Sequence, residues 1–222
     1  MKRSSIIFAT VVAVLSFSSC EPISPDEQKH EPMPCIPYDL TKSQSEMVSE
    51  GNAFAFNLLS EVSEDGNIKG KDFMFSPLSI SFVLGALNNG ATGRTSEEIL
   101  SAIGFEGRTS DDINGYCGSI LDGCPGVDEL VKDKIANAVI AKEGFNLKNS
   151  FSTTLSEYYD AYVRSMTFDS RALEAINSWC SEQTEGMIPQ ILEDIPEDAC
   201  LFTINSIYFK GDWTVKFAKS DT

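Results

Sequence analysis

The stretch FMFSPLSISFVLGALNNGATGRTSEEIL, Phe73 to Leu100, decides the fold, because two helix starts and their breaks are written into it. Ser76 suits an N-cap, since its hydroxyl can accept from backbone N–H groups that have no partner in the first turn. Pro77 follows at the first helical position, where its missing N–H would have been orphaned anyway. Ile80, Val83, Leu84 and Leu87 then fall at i, i+3, i+4 and i+7, which predicts one buried helix face, and Gly90 supplies the stop. A second helix is predicted just beyond. Thr95 and Glu98 have capping-box spacing, Ile99, Leu100 and Ile103 form the apolar side, and Gly104 ends it.

Upstream, Met47, Phe54, Leu58 and Val62 stand near helical spacing, with Phe56 and Leu59 beside them. The loop SEDGNIKGKD places Asp65, Asn67 and Gly70 somewhat like a calcium loop. Lys69 occupies a ligand position there and no glutamate closes it, so no metal is expected. Downstream, Glu106–Val127 is polar and Gly-rich, which predicts a loop with one short helix. DKIANAVIAKEG, Asp133–Gly144, is compact and apolar between turn signals, a buried strand. Phe151, Leu155, Tyr158 and Tyr159 return to helical spacing, and YVRSMTF alternates with Tyr162, Met166 and Phe168 on one side. Leu173, Ile176 and Cys180 face inward on a further helix that stops at Gly186. Leu201–Phe209 is a strand apolar on both faces, with Asn205 and Ser206 inside it. Strands and helices intermix, so the class is α+β.

The amino-terminal end reads differently. Lys2 and Arg3 precede the apolar run Ile6–Phe17, which is short for a membrane span and suits an export signal. SFSSC, Ser16–Cys20, resembles a bacterial lipobox, with Phe17 where leucine is usual. That resemblance implies a signal peptide over 1–19 and a lipid on Cys20, anchoring the protein to the bacterial outer membrane. An ordinary secretory signal with Cys20 unmodified is the competing reading. Residues 20–41 hold five prolines and several acids without periodicity, and form an acidic, Pro-rich tether. Acids placed so soon after the cysteine resemble the surface-export signals of some bacterial lipoproteins, which adds surface exposure to the expectation.

Net charge is −16 over 222 residues, and losing Lys2 and Arg3 leaves 15 basic against 33 acidic side chains, −18. No basic stripe is interleaved with aromatics, so nucleic acid is not an expected partner. With Cys20 set aside, Cys35, Cys117, Cys124, Cys180 and Cys200 remain. A Cys117–Cys124 bridge is open if CGSILDGC folds back as a loop. No CxxC is present and the one histidine, His30, sits in the tether, which argues against zinc. Cys180, Ser76 and Ser206 are nucleophile types, but none has a histidine near it in sequence to serve as base. An enzyme is not expected, nor is any cofactor.

The segments together are specific enough to carry a resemblance. NAFAFNLL, the Phe73–Leu100 stretch, IANAVIAKEGFNLKNSF, INSWCSEQTEGMIPQIL and LFTINSIYFKGDW, in that order, resemble the serpins over 42–222. Cys180 stands where that pattern usually has valine. The resemblance implies helices packed around a large central β-sheet, and a function as inhibitor of serine or cysteine proteases. The inhibitor's reactive loop is cleaved and inserts into the sheet as a new strand. It also implies that Ser76, Ser79 and Asn205 belong to a polar "shutter" network where the sheet parts, and that Trp213 lies near the sheet's upper end. The competing reading leaves the serines as caps and Asn205 as a satisfied core amide. A carboxyl-terminal portion with the reactive loop is expected to be missing, since no stretch resembles its hinge, so the 222-residue product is expected to be inactive alone and aggregation-prone. A non-inhibitory serpin-like surface lipoprotein that binds a partner is the alternative function.

Overall fold

The computed structural model describes residues 39–128 and 130–213. The expectations for the signal peptide, Cys20, Cys35 and most of the tether lie outside them.

Chain order is α1 (Lys42–Glu64), α2 (Pro77–Asn88), α3 (Arg94–Ala102), α4 (Ser110–Gly123), β1 (Val131–Lys142), α5 (Asn149–Tyr159), β2 (Ala161–Met166), α6 (Ser170–Gln183) and β3 (Leu201–Gly211). The strands form one mixed sheet in the order β2-β1-β3. β2 runs parallel to β1, and β3 runs antiparallel with Asn137 opposite Asn205.

β1 reads as nearly continuous apolar sequence because the sheet is covered on both sides. Val139 joins Met47, Phe82, Ile103, Phe105, Ile113, Leu155 and Tyr159 in the larger core beneath α1–α5. The alternate residues Ala138 and Ile140 point to the other face, where they meet Ile176 of α6 and Ile204 of β3. The expected α+β class holds, with three strands among the described residues.

Several local expectations are corrected. The buried face of α2 is Ser81, Phe82, Gly85, Ala86 and Asn88, whereas Ile80, Val83, Leu84 and Leu87 are only half-buried. A helix apolar on nearly every side gives periodicity little to choose between. α3 starts at Arg94 with Gly93 as N-cap and no side-chain cap, so the Thr95–Glu98 box does not form. Glu98 instead pairs with Arg94 at 2.7 Å. Where a loop with one short helix was expected, Ser110–Gly123 is a 14-residue helix capped reciprocally by Thr109 and Asp112. That helix also forbids the Cys117–Cys124 bridge. Seven residues of helix advance about 10 Å, beyond the roughly 7 Å that a disulfide spans between Cα atoms, and no disulfide joins the two.

Candidate functional site

α2 is built as its sequence demands and is set against the sheet. Ser76 Oγ accepts from the Ser79 N–H at 3.1 Å, and Pro77 occupies the first helical position. The helix packs on β3 and also touches α1, α3, α4 and α5. The two serines are thus joined to each other. No hydrogen bond links either of them to Asn205 among the described residues.

Asn205 sits instead at one end of a polar line that crosses the sheet. Its Nδ2 donates to Asn137 Oδ1 at 2.8 Å, and Asn137 Nδ2 donates to the Tyr159 carbonyl oxygen at 2.7 Å. Asn137 is only 7% exposed and Tyr159 is fully buried. A β1–β3 amide pair is therefore anchored to the last turn of α5. Asp160 caps that turn with φ 46°, in the left-handed region, so the chain reverses directly into β2.

The line is incomplete on one side. Asn205 Oδ1 and Ser206 Oγ are buried with no hydrogen-bond partner. Burying a polar atom without a partner costs about 1–3 kcal/mol. Both atoms belong to β3, whose other edge pairs with no strand among the described residues. Being consecutive on the strand, the two side chains point to opposite faces of the sheet.

Reasoning from sequence named Asn205 but missed Asn137 and Tyr159. In IANAVIAKEG the asparagine is the one polar residue amid a buried run, and that was the available signal. Trp213 lies just beyond β3 and is 69% exposed.

Among the described residues the nucleophile types Cys180, Ser76 and Ser206 have no histidine to serve as base. Cys180 is buried and desolvation raises its thiol pKa, which makes it a poor nucleophile. Ser76 is engaged as a cap and Ser206 is buried. Among the described residues no cluster of metal-ligating side chains occurs. No described helix is long and apolar enough to cross a membrane.

Comparison with known proteins gives one consistent likeness. The family described as Serpin (serine protease inhibitor) matches residues 49–222. Mouse (Mus musculus) neuroserpin is 29% identical over 181 residues, covering 80% of this chain and 43% of that protein. Serpin-ZX of Arabidopsis thaliana is 31% identical over 191 residues, covering 80% of this chain and 46% of that protein. Among solved structures, tengpin, a thermophilic serpin, in its latent state superposes with a TM-score of 0.74 at 26% identity, over 83% of this chain and 48% of the other. The chain thus spans somewhat less than half the length of the curated relatives it matches.

Proposed function

Because the chain belongs to the serpin family, we propose that the protein inhibits serine or cysteine proteases by taking its own cleaved reactive loop into the central sheet as a new strand. The family consists of protease inhibitors rather than proteases. The chain carries the amino-terminal part of that fold: the helices, the β2-β1-β3 sheet and the strand at whose edge insertion would occur.

The observation that supports this reading most directly is β3 itself. It is laddered to β1 on one side, open on the other among the described residues, and holds two unpartnered polar atoms in its middle. Adding a strand there completes a hydrogen-bond ladder, and ladder completion is what drives insertion. No segment of the chain resembles a reactive-loop hinge, so these 222 residues by themselves would not trap a protease.

We further propose that residues 1–19 are an export signal and that Cys20 carries a lipid holding the protein at the bacterial outer membrane, exposed at the cell surface. The SFSSC motif and the acidic, Pro-rich stretch after it support that placement. Metabolic labelling with a fatty-acid analogue should mark the protein and fail on Cys20→Ser.

The inhibition test uses the protein expressed from its complete coding sequence and mixed with a panel of serine and cysteine proteases. A complex that survives denaturing electrophoresis is the expected result. Cleavage of the protein without any such complex, with every protease, would overturn the inhibitor reading and leave a binding protein on the same scaffold.

A further inference from the structure

The polar line at the sheet's centre does not stop at Tyr159. The backbone carbonyl of that residue holds Asn137, while its hydroxyl, at the far end of a fully buried ring, donates to Asn114 Oδ1 at 2.9 Å. Asn114 of α4 and Asn89, the C-cap of α2, then exchange amide bonds in both directions, each 2.9 Å. Asn89 Nδ2 also reaches the Gly85 carbonyl oxygen at 3.1 Å. A continuous relay therefore runs Asn205, Asn137, Tyr159, Asn114, Asn89. It passes from β3 through β1, α5 and α4 to the end of α2.

Two observations mark this as more than a satisfied core tyrosine. A phenylalanine would fill the same apolar space beside Phe82 without burying a hydroxyl. The neighbourhood is also shaped to admit that hydroxyl. A Cβ on Gly85 would stand 3.0 Å from it and 3.0 Å from Ile113 Cγ2. One end of the relay carries the unpartnered Asn205 Oδ1, and the other is the C-cap of α2, next to the turn into α3.

From this geometry we infer that Tyr159 is a positioning residue that couples the β1–β3 pair to the ends of α2 and α4. A change at Asn205 is felt at Asn89, four steps away along the relay. Its consequence for strand insertion rests on the function proposed above; the coupling itself does not, because it is measured without any protease.

The experiment is residue-resolved amide hydrogen exchange on the protein as expressed. The probes are the Gly90 and Ala91 amides, which donate to Leu87 and Asn88 carbonyl oxygens. Asn205→Ala should raise exchange at these distant amides about two- to tenfold, the range expected for losing one hydrogen bond from an opening equilibrium. In a Tyr159→Phe background the same Asn205→Ala change should leave them unmoved. Leu155→Val, a core change in α5 that touches no polar group, shows what general loosening looks like. The inference fails if Asn205→Ala acts only within β1 and β3, or if its effect at Gly90 and Ala91 persists with Tyr159→Phe or merely matches Leu155→Val. A trapped protease complex with an uncoupled relay would sink this inference alone, and coupling without trapping would sink only the inhibitor reading.

Discussion

At the scale of single residues, the core is most exacting around Gly85. A methyl group there meets the Tyr159 hydroxyl and Ile113 at 3.0 Å, both fixed by tight packing. Overpacking of this kind costs about 1–3 kcal/mol, so Gly85→Ala should lower the denaturation midpoint, despite alanine being the better helix former. A second residue-scale prediction concerns alkali. Desolvation pushes the Cys117 thiol from its ordinary 9.0 up to about 12, and Tyr116 is held up to about 12 by the same cause. Below pH 9 the thiol is protonated whether the chain is folded or not, and its contribution is complete. Between roughly 9 and 12 the unfolded thiol sheds its proton while the folded one does not, so stability falls and the contribution is gone once pH passes the folded value. Melting temperatures followed from pH 8 to 11 should drop, and Cys117→Ala should make the drop shallower. An unchanged slope would show that burial at Cys117 does not control it.

At the scale of elements, the caps decide what sequence alone could and could not tell. Ser76-Pro77 was legible because an oxygen acceptor and an imino acid act on the nearest turn and need no tertiary information. Ser76→Ala should remove the 3.1 Å bond to the Ser79 N–H and cost about 1 kcal/mol, read as a shift in urea midpoint. The Thr95–Glu98 spacing misled because Gly93, at φ 57°, is itself the N-cap, so the helix has already begun at Arg94 when Thr95 is reached. α4 was underread because Gly115 and Gly118 look like breakers. Gly118 in fact lies inside the helix against α5, where a Cβ would make only ordinary contact with Tyr158, 3.6 Å from its carbonyl oxygen. Tertiary packing overrode propensity there, and the supposed cysteine loop vanished with it. The candidate site was half legible for a related reason. Asn205 stood out in its strand, but its partnership with Asn137 depends on register, and the Tyr159 hydroxyl bond depends on how α5 meets α4.

At the scale of the whole molecule, the order of segments was readable while the faces they share were not. Colinear motifs report that strands and helices occur. In the folded chain β1 is sandwiched between α6 and the α1–α5 layer. The fold also leaves apolar side chains exposed. Met74 is 98% exposed, Met187 75% and Phe209 69%, and the last lies on β3, whose outer edge pairs with no strand among the described residues. An open edge flanked by exposed aromatic surface is a template for pairing with another copy. A net charge of −16 opposes that approach, but salt screens it within about 8 Å at physiological ionic strength. A polypeptide of these 222 residues expressed alone should therefore self-associate, and more strongly as salt rises, when followed by light scattering behind a sizing column. Phe209→Lys, which places a charge on the edge without disturbing a buried contact, should shift the distribution toward the 24.3 kDa monomer. A species that stays monomeric from low to high salt would mean that β3's edge is already covered, and the argument from its openness would fall with it.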